Sequence, residues 1–218
     1  PLQQAYEQLS EGGASIDAIE SGRVVMLDLV ATGHWEQARQ VGTRCLEMTQ
    51  QLEGSQFRRH QFLADLGLLA ASQGEFATAR NYAAEVTAWA APRRLQRLVD
   101  AAARIGVRIA LAQSDYAAAY RAAMKLGAPG YFPVHNVEAA GDMLDLVEAA
   151  LFSGHSEVAS SHATGAALQN VAEASPRHAA LTLAKTAQET GDYSQLLSEA
   201  TIVEVAVDQK TRRIADAS

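Results

Sequence analysis

The chain has 218 residues, 48% of them hydrophobic and 6% aromatic, with a formal net charge of −7 at pH 7 and a sequence pI near 5.4. That apolar fraction excludes a disordered chain. The acidic surplus argues against direct contact with nucleic acid or an anionic membrane surface, because both need a cationic footprint.

Cys45 is the single cysteine, so an internal disulfide and a Cys-rich zinc site are excluded. A reducing, cytoplasmic setting is expected. No apolar run approaches the roughly 18 residues of a membrane span, and no signal-peptide pattern opens the sequence. The start at Pro1 fits an excised piece of a longer protein as well as a processed one.

Alanine supplies much of the apolar content, which suits closely packed helices better than a sheet. Taken in chain order, five segments read as amphipathic helices running into a turn. They are "SIDAIESGRVVMLDLVAT", "RHQFLADLGLLAASQ", "LVDAAARIGVRIALAQ", "GDMLDLVEAALFS" and "HAALTLAKTAQET". Their apolar residues recur at spacings of three and four, as one buried helix face requires. Each is followed by a turn and a second helical stretch.

The turns align with one another. They read "TGHWEQAR" at 32–39, "QGEFATAR" at 73–80, "QSDYAAAY" at 113–120, "SGHSEVAS" at 153–160 and "TGDYSQLL" at 190–197. The turn residues are Gly33, Gly74, Ser114, Gly154 and Gly191, and subtraction gives spacings of 41, 40, 40 and 37. Glycine permits the left-handed backbone that ends a helix. The Asp, Glu or His after it is expected to favour the next helix start. Two positions after the turn residue stand Trp35, Phe76, Tyr116, Ser156 and Tyr193, and the aromatic ones can wedge against a neighbouring helix pair. Ala38, Ala79, Ala119, Ala159 and Leu196 follow three positions later, where a small residue lets helices approach.

The pattern predicts an all-α protein, an α-solenoid of antiparallel helix pairs with a period of about 40 residues. The array is expected over 1–200, with a C-terminal helix or tail over 201–218. Connections between pairs are expected at "EGSQF", "APRR", "GAPGYFPVHN" and "EASPR". In "GAPGYFPVHN", Gly127 is the expected helix cap, Pro129 stops the helix and Asn136 can start the next one. Capping does not account for Tyr131 and Phe132. They either seal the groove between pairs or rim a binding site on the concave face, with His135 beside them. Arg93, Arg94 and Arg97 form a basic cluster that could hold an anion or an acidic segment, or could be hydrated charges at a helix start.

The Gly, aromatic and Ala spacing resembles the tetratricopeptide repeat, normally about 34 residues long. Three segments narrow the resemblance: "TAWAAPR" at 87–93, "SDYAAAYR" at 114–121 and "LDLVEAALFSG" at 144–154. In order and spacing they are similar to the helical repeat region of large actinobacterial LuxR-type regulators, the class that includes the maltose regulator. The resemblance covers roughly residues 20–200. Ser114 and Ser156 depart from it, and the tail lacks the family's arginine-rich ending.

The resemblance implies an ATPase module before the repeats and a DNA-binding helix-turn-helix after them. The repeats would receive a small inducer or a protein partner and pass the signal to those domains through changed contacts or homo-oligomerisation. The competing expectation is a free-standing adaptor holding a peptide in its concave groove.

No phosphate-cradling, dinucleotide or nucleophile-elbow motif occurs, so no enzyme and no cofactor are expected. His155 and His162 share a helix face but lack a third ligand at helical spacing, so no metal is expected. Asp142, Asp145 and Glu148 read as a solvated acidic stripe, and Cys45 reads as a packing residue.

Overall fold

Helix boundaries follow the glycines and short polar residues picked out above. The computed structural model describes residues 2–130 and 139–168. The turn near 191 and the tail over 201–218 lie outside the described residues. Every regular element among the described residues is helical. The first five helices are α1 (Leu2–Glu11), α2 (Ile16–Ala31), α3 (Trp35–Gln50), α4 (Gln56–Ser72) and α5 (Phe76–Ala90). A single 3-10 turn, Ala91–Arg93, leads to α6 (Gln96–Ala112), α7 (Tyr116–Ala123), α8 (Ala139–Phe152) and α9 (Ser156–Leu168). The chain divides after Ile109 into two compact units.

In the N-terminal unit α2 packs on α3 and α4 on α5, and α3 also packs on α4. The core between them holds Ile19, Val25, Met26, Leu29, Ala38, Cys45, Met48, Phe62 and Leu66. Burial of this apolar area, worth about 25 cal/mol per Å², is the main force holding the pairs together. A second cluster joins Leu63, Val86, Ala90, Leu98 and Ala102. The short helix α1 lies on α2 and inserts Tyr6 into the first cluster. In the C-terminal unit α7 packs on α8 and α8 on α9, around Val147, Ala150 and Ala159.

Four turns share one geometry. Gly33, Gly74 and Gly154 have φ of 83°, 82° and 85°, and Ser114 adopts the same left-handed region at 56°. The next N–H reaches back five residues each time: His34 to Leu29 O at 2.8 Å, Glu75 to Ala70 O, Asp115 to Ala110 O and His155 to Ala150 O, all three at 2.9 Å. This closure satisfies carbonyls that the helix end leaves unpaired. The alanines five positions after the turn residue, Ala38, Ala79, Ala119 and Ala159, expose 1% or less. A larger side chain there would have to displace the facing helix.

Ser114 takes a conformation that costs a residue with a Cβ roughly 1–2 kcal/mol. Ser114→Gly is therefore expected to stabilise the C-terminal unit by about 1 kcal/mol, after allowing for the greater freedom of unfolded glycine. A rise in urea midpoint at constant m-value checks this; an unchanged or lower midpoint rejects it.

The residue after the turn does not play the expected role throughout. Asp115 caps its helix with its side chain, accepting from Ala118 N at 2.9 Å, whereas His34 and Glu75 make no such bond. Glu75 instead receives the Arg39 guanidinium, with Nη1 to Oε2 at 2.9 Å, and Gln73 accepts from the same guanidinium. His155 stacks on Tyr120 with ring centroids 3.8 Å apart. Arg39 and Tyr120 both stand one residue after one of these buried alanines. So within each unit this position locks one turn to the preceding second helix.

Candidate functional site

The basic cluster lies where α5 passes to α6. Pro92 lacks an N–H and closes the helix into the 3-10 turn. Arg94 follows in the left-handed region, with φ 55°, and its N–H donates to Ala91 O at 3.1 Å. Forty positions earlier Gly54 does the same job with φ 76°. Arg94 is thus placed by its backbone, and its side chain is exposed.

Arg93 folds back onto the end of α5. Its guanidinium carbon sits 4.8 Å from the centre of the Trp89 ring, and Nη1 donates to Trp89 O at 2.8 Å. A cation over an indole face is attracted by the ring quadrupole, and here it also neutralises the negative helix end. His60 of α4 stacks on the same indole, with centroids 4.1 Å apart and planes 9° from parallel. Nδ1 of His60 donates to Gln56 O at 2.7 Å, which fixes the ring. Burial pushes the His60 pKa down, and the charges of Arg59 and Arg93 push it further down. Arg59 pairs with Glu85 at 2.6 Å.

Arg97 is exposed in the first turn of α6. The three arginines therefore have three different local roles, in stack, turn and helix start. Sequence reasoning missed Trp89 and His60. Trp89 stands four residues before Arg93, the spacing at which helical side chains meet, and that spacing could have found it. Nothing in the spacing could have found His60.

Tyr131, Phe132 and His135 lie outside the described residues. The described part of that connection, Gly127–Gly130, meets α9 at Gly130. Gly127 is not the left-handed residue; Gly130 is, with φ 76°. The α7 helix closes earlier than expected, with Leu126 N donating to Ala123 O at 2.9 Å. Gly130 N donates to Nδ1 of His162 at 3.3 Å. His155, just before α9, and His162 within it do not act together. His155 is exposed, bonded to Ser153 Oγ at 3.0 Å, whereas His162 is buried.

Asp142 is buried, so the acidic stripe on α8 is not a plain solvated face, and Asp142, Asp145 and Glu148 all have interaction partners. Cys45 is fully buried, and burial raises its thiol pKa, which disfavours the reactive thiolate. Among the described residues no group of three or more His, Cys, Asp or Glu side chains could hold a metal ion, and no helix is long and apolar enough to cross a membrane. What the arrangement offers is a cationic edge beside a half-buried indole, suited to a carboxylate or an aromatic group of a partner. No family model, curated protein or solved structure matches this chain.

Proposed function

We propose that the chain is a tetratricopeptide-like repeat domain of a LuxR-type transcriptional regulator. In this reading the helix pairs stack as an α-solenoid with a period of about 40 residues. The domain receives a small inducer or a protein partner and transmits that event to ATPase and DNA-binding domains elsewhere in the protein. The observation that carries it is the recurrence of one turn geometry at Gly33, Gly74, Ser114 and Gly154, each followed by a buried alanine. Repeated units of this kind present extended surfaces for partners. The cationic edge at Arg93, Arg94 and Arg97 is the binding surface proposed among the described residues.

The flanking gene sequence tests the assignment. A phosphate-binding loop motif upstream and a helix-turn-helix downstream are expected. A stop codon directly after Ser218 with no upstream domain removes the regulator and leaves the free-standing adaptor. For the surface, replacing Arg94 and Arg97 together by Ala in the full-length protein is expected to weaken capture of its partner or inducer without lowering Tm. Undiminished capture rejects that surface.

A further inference from the structure

We propose that His162 is a proton-operated latch that holds the turn Gly127–Gly130 against α9. The turn meets the helix backbone to backbone. A Cβ on Gly130 would lie 3.1 Å from Ser161 O, and a Cβ on Gly165 would lie 2.8 Å from Gly130 O. Glycine at 165 thus leaves room for the Gly130 carbonyl, and glycine at 130 suits both the close approach and the left-handed backbone there. Into that contact reaches one side-chain hydrogen bond, from Gly130 N–H to His162 Nδ1 at 3.3 Å. His162 is 5% exposed, so water does not replace that bond if it breaks.

The bond needs a particular protonation state. Nδ1 accepts only when it carries a lone pair, so the ring is neutral with its proton on Nε2. An added proton would sit on Nδ1 and face the Gly130 N–H, donor against donor. The buried imidazolium would also be poorly solvated. The turn then separates from α9, which opens the latch.

The sign follows from burial, which lowers the folded His162 pKa below the ordinary value near 6.5. A histidine depressed in the folded state contributes its full stability above pH 6.5, and loses it as pH falls through the folded value. The charged and titratable groups carried by the surrounding described elements are Asp115, Tyr116, Tyr120, Arg121 and Lys125 on α7 and its two ends, Asp142, Asp145 and Glu148 on α8, and His155 and Glu157 at the start of α9. The cause of the downward shift among the described residues is burial. His155 is held apart by Ser153 and Tyr120.

Amide hydrogen exchange of Gly130, read by NMR between pH 7.5 and 5 and corrected for intrinsic rates, tests the latch. In the wild type, protection is expected to fall by up to about tenfold per pH unit between the open-state value near 6.5 and the lower folded midpoint of His162. In His162→Gln, which does not titrate, protection is expected to be independent of pH. The same pH dependence in His162→Gln, or constant protection in the wild type, overturns the proposal. If the variant does not fold, the wild-type protein still decides. The loss of Gly130 protection must set in below about pH 6.5 and level off at the lower midpoint of the His162 ring titration, and a loss that sets in well above pH 6.5 or runs on past that midpoint overturns the latch. Because the readout is Gly130 itself, titration of His60 in the other unit does not confuse it.

Discussion

Asp65→Ala is expected to destabilise the N-terminal unit by about 3–5 kcal/mol. Asp65 lies on α4 and meets Arg23 of α2 in a forked pair, with Nε to Oδ2 at 2.7 Å and Nη2 to Oδ1 at 3.3 Å. The two side chains are only 14% and 8% exposed. Removing the carboxylate takes the forked partner away from a guanidinium that lies in the packed unit with little water around it, and the loss of that charge-assisted pair is the source of the cost. The other ion pairs give the contrast. Arg39–Glu75, Arg58–Glu20 and Arg59–Glu85 have side chains between 24% and 50% exposed, so each is worth at most about 1 kcal/mol. Replacing both partners, Arg23→Met with Asp65→Leu, is expected to recover most of the loss, since apolar groups of similar volume need no partner. Urea unfolding of the full chain measures all three variants. A loss under 1 kcal/mol for Asp65→Ala would show that water reaches the pair and screens it.

The turns were legible in the sequence because their requirement is local. A left-handed residue, a tight closure and a small side chain five positions later can each be read from a few residues, and Gly33, Gly74 and Gly154 satisfy all three. Ser114 was legible only through its spacing, since serine by itself does not announce a left-handed backbone. Cys45 was read as packing, and its complete burial agrees.

Contacts between helix pairs were not legible. Arg23 and Asp65 are 42 positions apart, and no helical period connects them. His60 on Trp89, Gly130 on His162 and Arg39 on Glu75 are likewise products of packing. The role of the residue after the turn went astray for this reason. Capping was the local expectation, but at Glu75 and His155 a neighbour from the preceding helix competes for the side chain. Helix α1 escaped the turn alignment because it has no turn partner among the described residues. Its exit residue, Gly13, is nevertheless left-handed like Gly54, 41 positions later. Arg94 is a third such residue, so a side chain proposed for binding stands at a position set by backbone conformation.

Gly22→Ala tests how α1 is held. In an open helix the exchange helps: alanine gains about 0.5–1 kcal/mol over glycine. Gly106, in α6, is such a site, because a Cβ there meets nothing within 4 Å, and Gly106→Ala is expected to stabilise by that amount. At Gly22 the added Cβ would lie 2.2 Å from Cys45 Sγ and 2.8 Å from Tyr6 Cε2. The thiol is fully buried in the core and has nowhere to move, whereas α1 is short and packs on α2. The strain is therefore relieved by expelling Tyr6. Its hydroxyl, now buried with its pKa pushed up to about 12, is 3.7 Å from the Cys45 sulfur. Gly22→Ala is expected to cost about 1–3 kcal/mol net and to let α1 detach. The single cysteine supplies the readout. Cys45 should resist a thiol reagent in the wild type and in Gly106→Ala, and should react faster in Gly22→Ala under conditions where circular dichroism still shows a folded chain. A destabilised Gly22→Ala protein whose cysteine stays unreactive would mean that the core shifts instead and that α1 is held more firmly than its contacts with α2 imply.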